Sequence, residues 1–400
     1  MIKHLYDFVV IGGGIIGINI AIELKKNYRD CSICILEKEA NLGEHASGRN
    51  SGVLHAGFYY DEDSVKAQFC RDGNKALTDY CKQRNISINR CGKVVVASNE
   101  EELHSLDTLL SRGKKNDVEL RMISKKELSE IEPMAKTLDR AIFSPNTSTA
   151  SPIELMNSIY EDAKNLGIEF HFKTKYLSKQ NDILVTSNGE YNYGYVVNCA
   201  GLYADKIAKD FGFSDSRIII PFKGIYLKEI KPSFKLSRNI YPTPNLSNPF
   251  LGVHFTLTAE NYLKIGPTAI PAFWPEQYSG LKNFNLNDFF RIIHAESKLF
   301  FKSNFDFKKL AFEEYTKMSK NKLLRLASRM INFELDPKNF EWSKPGIRAQ
   351  LLNTRSHSLE MDFIYEGDKK SFHVLNAVSP AWTCSIPFSK FIVKEIDRSI

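Results

Sequence analysis

The sequence predicts an α/β fold that begins with a strand–helix–strand unit close to the N-terminus. Residues 7–11 form a short apolar run between polar neighbours, which is typical of a buried parallel strand. Residues 18–26 then have the pattern of a helix, and a second apolar run follows at residues 33–36. Two parallel strands joined by a helix indicate an α/β layer with a parallel sheet.

The loop between the first strand and the helix carries a glycine motif. Gly12, Gly14 and Gly17 occupy the glycine positions of G-x-G-x-x-G, and Glu37 ends the second strand twenty positions after Gly17. In such a unit the first glycine allows a tight turn, the second lets the backbone approach a pyrophosphate, and the third brings helix and strand close together. The helix N-terminus favours phosphate, and a carboxylate such as Glu37 can bind ribose hydroxyls. These features together predict a Rossmann-like dinucleotide-binding unit, and no second copy of the motif occurs.

Composition narrows the class of protein. The 400 residues contain 43% hydrophobic and 25% charged residues, as expected for a globular chain with a sizeable core. The net charge of +7 is compatible with an anionic small-molecule substrate, and no basic run forms a nucleic-acid-binding module. Seven scattered cysteines, and an N-terminus that leads directly into a strand, favour reduced thiols and a cytoplasmic protein. Cys31 and Cys34 have C-x-x-C spacing within a strand, where core packing is the better interpretation.

Nucleotide-binding elements at both ends and in the middle of the chain predict two interleaved domains. We expect a discontinuous FAD-binding domain from residues 1–85, 150–217 and 341–400. A substrate-binding domain of the α+β type, with a mixed sheet, would then consist of residues 86–149 and 218–340.

Several segments resemble the FAD-dependent D-amino acid oxidase superfamily and, within it, the L-2-hydroxyglutarate oxidases and dehydrogenases. The likeness covers nearly the whole chain in the family's order. The segments that carry it are residues 48–60 with 64–67, 198–205, 221–224, 241–244, 249–256, 266–267, 346–350 and 376–380. The resemblance implies one FAD and oxidation of an L-2-hydroxy acid to the 2-oxo acid by hydride transfer to flavin N5.

Such a reaction needs a base, a cation for the substrate carboxylate and positive potential beside the flavin. We favour His254 as the base and His55 as a flavin or substrate contact, and covalent attachment of FAD through His55 stays open. Arg348 is the favoured carboxylate clamp because a guanidinium binds a carboxylate through two parallel hydrogen bonds. Lys223 would bind a second carboxylate, and Tyr60 and Tyr226 would line the pocket.

The resemblance also implies a set of flavin contacts. Asn50, Ser51 and Gly52 are small or polar residues that would lie beside the ring, and Gly201 would allow close approach of the backbone. Ser379 and Thr383 belong to a loop before a helix predicted to begin near Ser385 with Pro387 in its first turn, and its N-terminus would stabilise charge at the flavin. No metal ligands are predicted.

Some alternatives remain open on the sequence. The family usually has histidine where Arg49 stands, arginine and glutamate where Lys223 and Ile225 stand, and small residues where Trp382 stands. An amino acid or N-methyl amine oxidase of the same fold, and a tailoring oxidoreductase acting on a carrier- or partner-bound substrate, are therefore retained. The electron acceptor is open among oxygen, a quinone and another flavoprotein.

The segment from residue 284 to 330 holds ten Lys and Arg against five Asp and Glu, interspersed with phenylalanines. This composition is typical of a helical subdomain with a solvated outer face. It also fits a peripheral contact with the inner face of a membrane.

Overall fold

The computed structural model describes residues 3–62, 64–244, 250–303 and 307–400. Pro249, which begins one of the resembling segments, and residues 304–306 of the basic segment lie outside these ranges. The strands are β1 (Lys3–Ile11), β2 (Ile33–Leu36), β3 (Val53–Leu54), β4 (Ile88–Asn89), β5 (Lys93–Val96), β6 (Arg121–Ser124), β7 (Arg140–Ser144), β8 (Ser148–Ala150), β9 (Glu169–His171), β10 (Tyr176–Gln180), β11 (Ile183–Thr186), β12 (Gly189–Asn198), β13 (Arg217–Gly224), β14 (Leu227–Glu229), β15 (Asn239–Pro242), β16 (His254–Leu257), β17 (Leu263–Gly266), β18 (Ile270–Pro271), β19 (Phe340–Trp342), β20 (Gly346–Asn353), β21 (Ser358–Leu359), β22 (Ile364–Gly367) and β23 (Ser371–Asn376). The α-helices are α1 (Ile15–Asn27), α2 (Val65–Gln83), α3 (Glu100–Lys115), α4 (Lys125–Ile131), α5 (Pro152–Asn165), α6 (Ala204–Asp210), α7 (Leu286–Lys302), α8 (Phe307–Thr316), α9 (Lys320–Ala327) and α10 (Ala381–Ser399).

The first sheet confirms the predicted α/β class. β1 pairs in parallel with β2 and with β12, β2 pairs with β9, and β12 pairs with β23. Helices α1, α2, α5 and α10 share one apolar core with this sheet. The carboxyl ends of β1, β12 and β23 therefore meet at one edge, which is where α/β sheets bind their ligands.

The second large sheet is mixed and draws on distant parts of the chain. Its order is β19-β14-β17-β16-β15-β5-β7-β6. One face packs an apolar core around Val94, Ile240 and Phe255. Side chains alternate between the two faces of a strand, so Lys93, Tyr241 and His254 point to the other face.

Two smaller sheets connect the large ones. β13 pairs with β20 and β18, and β3 pairs with β8, which pairs with β4. β13 and β18 belong to the segment predicted as substrate-binding, whereas β20 belongs to the one predicted as FAD-binding. The two-domain division stays a prediction.

Candidate active site

The glycine loop is held against the end of β12. Gly12 has φ +110°, and a Cβ there would lie 2.5 Å from the carbonyl oxygen of Cys199. A Cβ on Gly17 would lie 2.1 Å from the carbonyl oxygen of Gly12. Both positions therefore require glycine, and Gly17 acts through helix–strand packing, as expected from the motif.

The start of α1 has the geometry that the predicted phosphate site requires. Gly14 is the N-cap of α1, and the backbone N–H of Ile15 donates to the Ser47 hydroxyl at 3.0 Å. The Glu37 carboxylate accepts from the backbone N–H of Gly13 at 2.9 Å. The remaining N–H groups and the positive end of the helix are suited to an anion.

A cavity of about 1060 Å³ extends from this loop into the space between the sheets. It is at the upper end of the range of ligand sites, about 300–1,000 Å³. The structure brings most of the predicted residues together on its wall: Gly12, Gly14, Glu37, Asn50, Ser51, His55, Gly201, Tyr226, Arg348, Ser379 and Thr383.

Five predicted residues do not line this cavity: Gly17, Gly52, Tyr60, Lys223 and His254. Gly52 has φ +76°, and a Cβ there would lie 2.2 Å from the carbonyl oxygen of Ala150, so its role is in backbone packing. Tyr60 packs against the apolar core of the first sheet. Lys223 lies directly opposite Ile347 on paired strands, so its side chain is on the other face from Arg348.

The 47–52 loop is held in shape by its own polar side chains. The amide of Asn50 donates to the carbonyl of Ser47 at 2.7 Å, and its oxygen accepts from the backbone N–H of Gly52 at 2.7 Å. Ser51 lies close enough to the Tyr226 hydroxyl to lower its pKa. The loop therefore presents fixed polar groups to the cavity.

The last helix begins earlier than the sequence predicted. α10 starts at Ala381, so the expected start near Ser385 with Pro387 in the first turn is wrong, and Pro387 lies inside the helix. Thr383 is consequently in the first turn, where its hydroxyl accepts from the backbone N–H of His55 and donates to the carbonyl of Val53, both at 3.2 Å. This pair of bonds fixes His55 relative to the helix N-terminus.

A group of charged residues connects the 38–45 loop to the 276–278 segment at the cavity rim. The ammonium of Lys38 pairs with Glu39 and, at 2.7 Å, with Glu276. His45 contacts the Tyr278 hydroxyl at 2.9 Å. Glu39, His45 and Glu276 are close enough to share a metal ion, but the ammonium of Lys38 already contacts both carboxylates.

His254 is held in a defined tautomer. Its Nδ1–H donates to the carbonyl of Gly252 at 2.8 Å, which leaves Nε2 as the acceptor. The ring stacks on Tyr241 with 3.8 Å between centroids. Burial, together with the charges of Lys93 and Arg348, lowers the pKa of His254 to about 3, against the hydrogen bond to Gly252, which raises it. The imidazole is therefore neutral and able to accept a proton.

His55 lies on the cavity wall and is also neutral. Burial lowers its pKa to about 3, with contributions from Lys93 and His254. Its Nδ1 is buried and has no hydrogen-bond partner in the described part of the chain. This atom is thus able to bond a ligand.

Arg348 is one of several cations on the cavity wall. One of its N–H groups donates to the carbonyl of Thr268 at 3.0 Å, which orients the side chain. Burial raises the pKa of Tyr226, and the charge of Arg348 and the nearby Ser51 side chain oppose the rise. The guanidinium therefore lies near Tyr226 and His254, as a carboxylate clamp requires.

Sequence reasoning overlooked Lys93. The run from Lys93 to Ala97 predicts a strand, but nothing in it indicates that the Lys93 side chain is fully buried and that its charge acts on both histidines. Alternation along the strand predicts that Lys93 and Val95 lie on the same face. It does not predict which residues that face contacts.

The comparison with protein families indicates FAD. This is a dinucleotide, which the glycine loop and the cavity fit. The model described as "FAD dependent oxidoreductase" (DAO) matches residues 7–394. The chain belongs to this family. It is therefore a FAD-dependent oxidoreductase, and the glycine loop, Glu37 and the start of α1 are the groups that fit the dinucleotide.

Relatives of known name agree over nearly the whole length. The chain is 34% identical to an L-2-hydroxyglutarate dehydrogenase of Escherichia coli, over 98% of this chain and 93% of the relative. It is also 34% identical to the mitochondrial L-2-hydroxyglutarate dehydrogenase of Homo sapiens, over 98% and 89%.

Solved structures share the fold. An L-α-glycerophosphate oxidase of Mycoplasma pneumoniae with FAD bound has a TM-score of 0.79 at 19% identity, covering 98% of this chain and 95% of that one. A glycine oxidase of Geobacillus kaustophilus has a TM-score of 0.72 at 19% identity, covering 99% and 96%. Enzymes that differ in substrate thus share this architecture.

Proposed function

We propose that the protein oxidises an L-2-hydroxy acid to the 2-oxo acid and that L-2-hydroxyglutarate is the favoured substrate. The names of the relatives support the substrate. The observation that carries the chemistry is the neutral imidazole of His254, with its tautomer fixed by Gly252, close to the guanidinium of Arg348.

In this proposal Arg348 binds the carboxylate next to the reacting carbon through two parallel hydrogen bonds. Nε2 of His254 accepts the proton of the substrate hydroxyl as the carbon–hydrogen bond breaks. Bound FAD supplies the acceptor for the hydride. Tyr226 and Ser51 fix the position of the substrate on the cavity wall.

His55 is the second candidate for the base because it lies on the cavity wall, which His254 does not. Replacing the true base lowers kcat by roughly 10²- to 10⁴-fold. We expect this loss in His254→Asn, and a smaller loss with a raised KM in His55→Asn. The reverse order would transfer the role of base to His55.

An anaerobic titration tests the reaction itself. The purified flavoprotein is mixed with L- and D-2-hydroxyglutarate, shorter L-2-hydroxy acids, glycine and sarcosine, and the loss of flavin absorbance is recorded. We expect rapid bleaching by L-2-hydroxyglutarate. Bleaching by an amine and by none of the hydroxy acids would make the protein an amine oxidase, and bleaching by no free acid or amine would favour a carrier- or partner-bound substrate.

We also propose that the surface of α7 and α8 contacts an anionic membrane. Phe301, Phe312 and Tyr315 are 75%, 72% and 66% exposed. Lys308 lies 5.5 Å from the Phe301 ring and shares a face of α8 with Phe312 and Tyr315. Exposed aromatic residues beside lysines are typical of helices that bind the membrane interface. Within the described ranges, no helix combines the length and apolar character needed to cross a bilayer.

A further inference from the structure

Lys93 is a buried lysine for which the described ranges contain no anionic partner. Its side chain is 0% exposed, and in the described part of the chain Nζ has no hydrogen-bond partner. Nζ lies 4.5 Å, 4.4 Å and 4.7 Å from the ring centroids of Phe58, Tyr59 and Tyr241. A lysine at the end of a strand normally extends its ammonium into water, and here the aromatic rings surround it instead.

The strand register places this ammonium on the same side of the sheet as the imidazole of His254. Lys93 pairs with Asn239, and alternation puts Tyr241, two residues further along β15, on the same face. The ring of Tyr241 stacks on His254. The distances from the Tyr241 centroid to the imidazole centre, 3.8 Å, and to Nζ of Lys93, 4.7 Å, limit the separation of those two groups to their sum, 8.5 Å.

Both imidazoles experience the charge of Lys93. It opposes the protonation of His55 and of His254 and thereby lowers both pKa values. Burial lowers the pKa of Lys93 itself to about 7. Lys93 is consequently protonated at the acidic pH values where an ordinary imidazole would also take up a proton, and the aromatic rings stabilise its charge.

We propose that Lys93 is a positioning residue: its buried ammonium, enclosed by the rings of Phe58, Tyr59 and Tyr241 on the face of the sheet that carries His254, keeps the base in its neutral form. It acts through the imidazoles and does not touch the substrate. The inference rests on the proposed role of a histidine as base, but its effect on the imidazoles can be measured whatever the substrate is.

Several elements contribute titratable or charged groups around the two imidazoles and Lys93. Besides these three residues they are Tyr59, Cys70 of α2, Tyr226, Tyr241 of β15 and Arg348 of β20. Burial raises the pKa values of Tyr59, Tyr226 and Tyr241. The three tyrosines therefore stay neutral, which leaves Arg348 as the other cation.

The size of the effect follows from Coulomb's law. Two unit charges about 8.5 Å apart in an effective dielectric constant of about 20 give a shift of roughly one pH unit. Removing the charge in Lys93→Met, which keeps an unbranched side chain, should raise the pKa values of both imidazoles by about that amount. Lys66→Met is the matched control, because Lys66 is also a buried lysine but neither imidazole is shifted by its charge.

The first test is direct titration by NMR. The holoprotein is labelled with ¹³Cε1-histidine, and the resonances of His55 and His254 are assigned from His→Gln variants. We expect both imidazoles of Lys93→Met to begin to protonate about one pH unit above wild type, and those of Lys66→Met to match wild type. If the pKa values of the two imidazoles in Lys93→Met are unchanged or lower than in wild type, the proposal is overturned.

The second test is the pH profile of flavin reduction by L-2-hydroxyglutarate, recorded within a second of a jump from pH 7.5 to values between about 2.5 and 8, a range that includes the low pKa values of both imidazoles. We expect the acidic limb of Lys93→Met to move about one unit to higher pH while its rate at pH 8 stays near that of wild type. An equal loss at every pH would mean that Lys93 is only structural. A failure of the proposed substrate would leave the NMR result intact, so the two proposals fail separately.

Discussion

Arg348 and Lys223 show how much the function of a cation depends on the face of a strand. They lie one register position apart on β20 and β13, with Phe222 opposite Arg348 and Ile347 opposite Lys223. Arg348 reaches the cavity and Lys223 does not. The residue type predicted a carboxylate partner for both cations. The strand pairing determines which of the two reaches the cavity and can bind a substrate carboxylate there.

The matched pair Arg348→Met and Lys223→Met tests this difference. Loss of charge-assisted hydrogen bonds of about 1.5–3 kcal/mol should raise the KM of Arg348→Met for L-2-hydroxyglutarate by roughly 10- to 100-fold. Lys223→Met should keep a KM within about twofold of wild type. Steady-state kinetics with an artificial electron acceptor provide the measurement, and a large rise in the KM of Lys223→Met would show that the second carboxylate is bound there.

The sequence predicted the kinds of residue in the site better than their contacts. Gly12, Gly14 and Glu37 are found where the motif put them, because their geometry is local to one βαβ unit. Lys93 was overlooked because its environment is created by Tyr59 and Tyr241, which are distant in sequence. Local patterns contain no information about such neighbours.

At the scale of elements, helices with clear apolar periodicity agree with their expected bounds. The pattern of residues 65–82 predicts a helix, which is α2 at Val65–Gln83, and Ser151 followed by Pro152 predicts the start of a helix over residues 151–166, which is α5 at Pro152–Asn165. α10 was predicted to start too late because proline is most common in the first turn. Its true start depends on packing. Pro387 has no N–H to donate to the carbonyl of Thr383, and this carbonyl lies against Gly73 of α2.

Two glycines inside helices test that packing. A Cβ on Gly73 of α2 would lie 2.1 Å from the backbone oxygen of Thr383, whereas one on Gly113 of α3 would meet the flexible end of Leu120 at 2.2 Å. Alanine is favoured over glycine in a helix by about 1 kcal/mol, but overpacking costs about 1–3 kcal/mol. We expect Gly73→Ala to melt at a lower temperature and retain less FAD, and Gly113→Ala to resemble wild type. Equal behaviour in thermal melts and flavin content would refute the close contact of α2 and α10.

For the whole molecule, the sequence indicated interleaving but could not assign the strand order. The mixed sheet pairs β5 at residues 93–96 with β15 at residues 239–242, and β14 with β19 at residues 340–342. Pairings across such distances follow from how the first sheet and its helices position the intervening chain. The short runs themselves are compatible with many neighbours.

The exposed aromatic surface of α7 and α8 leads to a prediction for the intact protein. Lys308 would attract anionic lipid while Phe312 and Tyr315, on the same face of α8, enter the interface. We expect the protein to sediment with vesicles containing phosphatidylglycerol, less with pure phosphatidylcholine, and less again at high salt.

Phe301→Ser with Phe312→Ser should abolish sedimentation while flavin reduction by substrate is unchanged, because neither residue lines the cavity. As a control, Leu5→Ser and Leu166→Ser remove apolar groups that are 76% and 38% exposed, do not line the cavity and lie elsewhere on the surface. Equal binding to both lipids, or an equal loss in the control, would show that this surface does not bind membranes.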